Sequence, residues 1–262
     1  MNQKFGGGFI PRVARIKSRI GIYHIIMRGI NRQTIFEDEE DYIRFIETMH
    51  RYKEICEYKI YAYCLMGNHL HLLLEEGKEP LETVMRRICG SFVLWYNKKY
   101  KRVGYLFQDR YKSEPVENNE YFLTVLRYIF LNPKKAGLVF NIQNYQWSNY
   151  KDYIQGINQT EVNLVLGIFH KERKKAIDRF VEYINSENDD KCMDLTEKKW
   201  LTDDEARKII RTYYKIEHAI EIQKYDKAKR NQYLKELKEK HGLSIRQIER
   251  LTGISRGVIQ KI

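Results

Sequence analysis

The chain has 262 residues, 43% of them hydrophobic, which is enough to bury a core and excludes wholesale disorder. Lys and Arg total 47 against 35 Asp and Glu, for a net charge of +12. That excess favours polyanionic partners, nucleic acid first among them.

Taken in chain order, Ile20–Arg28 (IGIYHIIMR) is β-branched and aromatic and predicts a strand, broken by Gly29–Asn31. Glu37–Tyr58 opens on acidic residues and repeats apolar ones at Tyr42, Phe45, Ile46, Met49 and Tyr52, which is helical spacing. Lys59–Leu65 and His69–Glu75 read as two strands joined by a hairpin turn at Met66-Gly67-Asn68. Pro80 opens a second helix at Leu81–Tyr100, and a loop containing GYLFQDRYKSEP follows. A third helix, Glu120–Asn132, is expected to stop at Pro133. Strand, helix, hairpin, helix, loop, helix predicts an α+β fold: an antiparallel sheet with helices packed on one face.

This domain is expected to occupy residues 1–155. Residues 156–199 read as a helical connector, with one or two polar helices at Glu161–Ser186 and a charged linker at Glu187–Lys191. Residues 200–262 are basic and helix-rich. Their last stretch, Leu243–Ile262, predicts a helix-turn-helix with Ser244 and Ser255 as caps and Gly253 in the turn. Ile245, Ile248, Leu251, Ile254, Val258 and Ile259 would form its core, leaving Arg246 and Arg256 to face duplex DNA.

The four cysteines show neither Cys-x-x-Cys spacing nor a disulfide framework, which fits reduced thiols. The basic N-terminus lacks the apolar centre of a secretory signal. The greasiest run, Tyr121–Leu131, is too short to span a bilayer and carries Arg127. A soluble cytoplasmic protein is expected.

The stretch GNHLHLLLEE places His69, His71 and Leu73 on one face of a strand and Leu70, Leu72 and Leu74 on the other. Two imidazoles on one face can converge on a divalent cation, or each can be a half-buried residue bonded to a neighbour. In the third helix, Tyr128 and Asn132 are four apart and share a face. Tyrosine can act as a covalent nucleophile, although this pair can equally be a core ring and a helix-end cap.

Together, YHIIMRGINRQTIF, YCLMGNHLHLLL, GYLFQDRYKS, YFLTVLRYIFLNPKKAGLV and YQWSNY, in this order from Tyr23 to Tyr150, resemble the single-tyrosine HUH transposases, in particular the REP-associated tyrosine transposases. The resemblance implies a ferredoxin-like domain in which His69 and His71 bind Mg²⁺ or Mn²⁺, with Asn132 as third ligand. It implies Tyr128 as the nucleophile that attacks single-stranded, hairpin-bearing DNA, forming a 5′-phosphotyrosine bond. It favours a monomer over a dimer. Arg28, Arg32, Arg110, Tyr111, Lys112 and Lys134 are candidates for DNA contact. The alternative is a domesticated, non-catalytic nucleic-acid-binding regulator that keeps the fold.

Overall fold

The structure, a computed structural model, describes residues 15–156, 160–194 and 201–262. The chain divides into two compact units, Met1–Asp194 and Leu195–Ile262. In the first, β1 (Ile22–Arg28), α1 (Glu39–Cys56), β2 (Lys59–Met66), β3 (His69–Glu75), α2 (Leu81–Lys99), β4 (Lys112–Pro115) and α3 (Asn119–Lys135) follow one another. The sheet order is β2-β3-β1-β4 and every neighbouring pair is antiparallel. This is the split βαβ arrangement of a ferredoxin-like domain.

Local sequence accounts for the elements. Asp38 and Asp41 form a capping box at the start of α1, and the acidic first turn complements the helix dipole. Lys99, in the last turn of α2, reaches Asp38 at 2.7 Å and buried Asp41 at 2.8 Å, which fastens α2 to that cap. Along the strands, the two-residue period sorts side chains by face. Tyr23, Ile25 and Met27 of β1 and Leu70, Leu72 and Leu74 of β3 pack with Phe45, Met49, Ile88 and Phe92 of α1 and α2. Leu73 faces the other way, into a second cluster with Phe122, Val125 and Ile129 of α3. Helices therefore cover both faces: α1 and α2 sit where expected, while α3 lies against the opposite side, over the histidines.

Two further boundaries differ from expectation. The loop after α2 contains β4, which pairs with β1 over Tyr23–Ile26. Its sequence, KSEP, has none of the β-branched or aromatic residues that announce a strand. Helix α3 continues through Pro133 to Lys135. Proline's fixed φ is helical, and so near the helix end its missing N–H removes only one intrahelical bond.

Past α3, the YQWSNY stretch lines the outer edge of β2. Leu65 N donates to Trp147 O at 2.9 Å, Tyr63 N to Asn149 Oδ1 at 2.7 Å, and Asn149 Nδ2 to Tyr61 O at 3.0 Å. The Tyr145 hydroxyl donates to Leu65 O at 2.6 Å. Within 156–199, α5 (Val162–Phe169) and α6 (Arg173–Asn185) join the second core cluster after α4 (Tyr150–Gln155). Phe180 is fully buried, its ring stacked 4.7 Å from Tyr153. The described part of the expected connector is thus built into the first unit.

The second unit contains α7 (Asp203–Tyr214), α8 (Lys227–Glu239), α9 (Ile245–Thr252) and α10 (Arg256–Gln260). Ile210, Leu234, Leu237, Ile248, Leu251 and Ile259 form its core. Ser244 caps α9 by accepting from Gln247 N at 3.2 Å, and Gly253 turns the chain at φ 70°. Val258, expected in this core, lies exposed instead because α10 presents only Ile259 inward. No helix among the described residues is long and apolar enough to cross a membrane.

Candidate active site

Strand register assembles one polar face. In β3, His69 lies opposite Arg28 and His71 opposite Ile26, while His24 of β1 lies opposite Leu73 and, on its other side, Glu114 of β4. Paired residues share a face, so His24, Arg28, His69, His71, Lys112 and Glu114 all project to the side covered by α3. Tyr128 descends from α3 onto them. Its ring centroid lies 5.6 Å from that of His71 and 5.9 Å from that of His24, edge-on to both.

The hydrogen bonds around the two predicted ligands are asymmetric. Asn68 Nδ2 donates to the Arg32 carbonyl at 3.3 Å, which turns Asn68 Oδ1 toward His69 Nδ1 at 2.7 Å. An amide oxygen only accepts, so His69 Nδ1 carries the proton and Nε2 keeps its lone pair. His71 Nδ1 lies 3.2 Å from His24 Nε2. His71 Nε2 is buried and has no hydrogen-bond partner. A buried, unpartnered ring nitrogen beside a second imidazole with a free lone pair is a donor set that suits a divalent metal.

Burial holds these rings neutral. It pulls His69 down to about 4, reinforced by the Arg28 guanidinium. It pulls wholly buried His71 well below the ordinary value, with His24, His69 and Arg28 adding to the effect. His24 is lowered by burial against the opposing pull of Glu114. A neutral imidazole is the form that ligates. The Tyr128 phenol moves the other way: burial raises it above its usual range, and the carboxylate of Asp194, to which it is hydrogen-bonded, raises it further.

Asn132 stands one turn beyond Tyr128, and its Nδ2 donates to the Tyr128 carbonyl at 2.9 Å, which leaves Oδ1 as the atom able to ligate. Among the described residues, no group of three or more His, Cys, Asp or Glu side chains is placed to hold a metal ion. A two-histidine set completed by an amide is consistent with that.

The expected DNA contacts divide. Arg28 is half-buried beside His69, with its Nε unpartnered. Lys112 and Lys134 are exposed on β4 and α3, Arg32 is exposed at the end of a short 3-10 helix, Ile30–Arg32, and Arg110 is exposed in a loop. Tyr111 is a correction: it is 9% exposed in the main core, and the Arg15 guanidinium covers its ring at 3.8 Å from the centroid, so the ring offers no face to a base. In the second unit, Arg246 is exposed, whereas Arg256 is ion-paired with Glu249. Sequence reasoning did not single out His24, Asn68, Glu114 or Asp194. The available signal for His24 was its place in IYHIIMR, an even number of residues from Arg28 and hence on the same face.

Residues 19–132 match the family described as transposase IS200 like. A Haemophilus influenzae protein assigned as a REP-associated tyrosine transposase is 26% identical over 125 residues, which span 42% of this chain and 69% of that protein. Among solved structures, a REP-associated tyrosine transposase bound to a REP hairpin matches with TM-score 0.49 at 18% identity, covering 56% of this chain and 86% of the other. A Deinococcus radiodurans protein assigned as a transposase matches with TM-score 0.33 at 16% identity, over 49% and 95% of the respective chains. Over that segment the chain is similar to transposases of the IS200-like class. That segment is less than half of the chain, and over it the chain is similar to the REP-associated tyrosine transposases.

Proposed function

We propose that this chain cleaves and rejoins single-stranded, hairpin-bearing DNA through a covalent 5′-phosphotyrosine bond at Tyr128. The observation that carries the reading is the Tyr128 ring packed against His71, 5.6 Å between centroids, where His71 keeps Nε2 buried and unpartnered. A regulator that only bound DNA would have no use for an unpartnered buried imidazole nitrogen, which is destabilising in itself.

His69 and His71 through Nε2, and Asn132 through Oδ1, would hold Mg²⁺ or Mn²⁺. A bound divalent ion supplies Lewis-acid polarisation of the scissile phosphate. Arg28, with an unpartnered Nε beside His69, takes a phosphate oxygen. The Tyr128 oxygen then attacks phosphorus. The bond from phosphorus to the 3′ oxygen breaks, and that oxygen leaves as a 3′-hydroxyl on gaining a proton. A phenol with a reference pKa of ~10, raised further by burial, is protonated at pH 7 and needs a base. Asp194, hydrogen-bonded to it, accepts its proton. Attack by a 3′-hydroxyl on the phosphotyrosine reverses the sequence and rejoins strands. The helix-turn-helix of α9 and α10 adds duplex contact, led by Arg246.

Wild type incubated with Mn²⁺ and single-stranded hairpin oligonucleotides from its own genomic surroundings should form a covalent adduct stable to SDS electrophoresis. Tyr128→Phe should form none while binding the same oligonucleotide. Absence of an adduct with wild type on every such hairpin would sink the reading.

A further inference from the structure

His24 belongs to no role derived above, yet it is fully buried in the middle of the site face. Its Nε2 faces His71 Nδ1 at 3.2 Å; its Nδ1 is buried without a hydrogen-bond partner, and the Glu114 carboxylate stands beside it, Oε2 at 3.7 Å. Glu114 is anchored from elsewhere: Met193 N donates to Oε2 at 3.1 Å, and the Tyr121 hydroxyl donates to the same carboxylate. His24 beside it and these donors hold its carboxyl below the usual carboxylate range, so it is an anion and only accepts.

The proton positions follow in order. An anion this close favours hydrogen on the ring nitrogen that faces it, which places the His24 proton on Nδ1. In a neutral imidazole the other nitrogen is then an acceptor, so His24 Nε2 accepts. His71 Nδ1, its partner, therefore donates. That leaves the lone pair of His71 on Nε2, the buried nitrogen with no partner. The opposite tautomer of His24 would turn a lone pair on Glu114 and place the His71 proton on the nitrogen that must ligate.

We propose that His24, oriented by Glu114, is a positioning residue that fixes His71 in the one tautomer able to bind metal. The chain from Glu114 through His24 to His71 is a carboxylate–histidine–histidine relay. Asn68 does the corresponding work for His69 from the opposite end of the site. The inference rests on the metal-dependent reading of the His69–His71 pair, and the tests below separate the two.

The first test reads the protons directly. Long-range ¹H–¹⁵N spectra of the full chain, labelled at its seven histidines and kept metal-free with chelator, should show His24 and His71 both protonated at Nδ1 and bare at Nε2. Finding His71 protonated at Nε2, or His24 protonated at both nitrogens, overturns the proposal. The second test titrates Mn²⁺ and follows the free-ion paramagnetic resonance signal. His24→Leu should weaken Mn²⁺ binding roughly 10–100-fold, whereas His24→Gln, whose amide oxygen still accepts from His71 Nδ1, should stay within about threefold of wild type. Equal Mn²⁺ affinity in wild type and His24→Leu, with the fold intact by circular dichroism, overturns the proposal. If wild type binds no Mn²⁺, the metal reading fails, and the tautomer spectra of wild type still decide whether the relay exists.

Discussion

Acid should destabilise the metal-free protein, and His69 gives the effect a size. Burial pulls the folded imidazole to about 4 from an ordinary value of 6.5. Between those values the unfolded chain binds a proton that the folded chain refuses. Stability therefore rises with pH through this window and falls as the solution is acidified. On going from pH 7 to pH 5, the His69 contribution alone is a loss of about 2 kcal/mol, since one pKa unit corresponds to ~1.4 kcal/mol. The assay is urea unfolding of the full chain in chelator at both values, for wild type and for His69→Gln. The variant should lose less stability on acidification, by about 2 kcal/mol. His24 and His71 are lowered as well, chiefly by burial that is the same in both proteins, so most of their contribution drops out of the comparison. A difference between the two proteins below ~0.5 kcal/mol would refute the claim that the folded site excludes the proton from His69.

Arg28→Gln should weaken single-stranded DNA binding and lower the salt slope of log affinity by about one, measured by fluorescence anisotropy across a salt series. An unchanged slope would remove Arg28 from the phosphate contacts. Phe180→Ala should destabilise the first unit by about 3–5 kcal/mol, read as an earlier urea midpoint, because the ring is fully buried among aromatic neighbours. A loss below ~1 kcal/mol would return α6 to the status of a connector.

What was legible in the sequence followed periodicity. The two-residue spacing of His69 and His71 put them on one face, and helical spacing put Tyr128 and Asn132 on another; the structure brings Tyr128 against His71. Three things lay outside that signal. Strand β4 is four residues of mixed polarity, held in place by pairing with β1 and not by its own propensity. With β4 missed, Glu114 had no address, and His24 remained an unremarked histidine in an apolar run. The depth of Tyr111 was hidden by the company it keeps in sequence: Asp109, Arg110 and Lys112 are exposed around a ring that turns inward. Phe180 sits in a polar-looking helix whose apolar side is read only once Tyr150, Tyr153 and Phe130 are placed beside it.

The lining of the β2 edge bears on how copies of this chain can meet. An open edge strand invites a second molecule to extend the sheet. Here the outward-facing backbone groups of Tyr61, Tyr63 and Leu65 are already taken, several of them by side chains of the same molecule. An incoming strand would have to evict the carboxamide of Asn149, which is 1% exposed, and the hydroxyls of Tyr145 and Tyr153. Each displaced buried group left without a partner is worth ~1–3 kcal/mol against the newcomer. Sheet extension at that edge is thereby closed to sister molecules and to extended peptides alike, and any assembly of this protein has to be built from other surfaces.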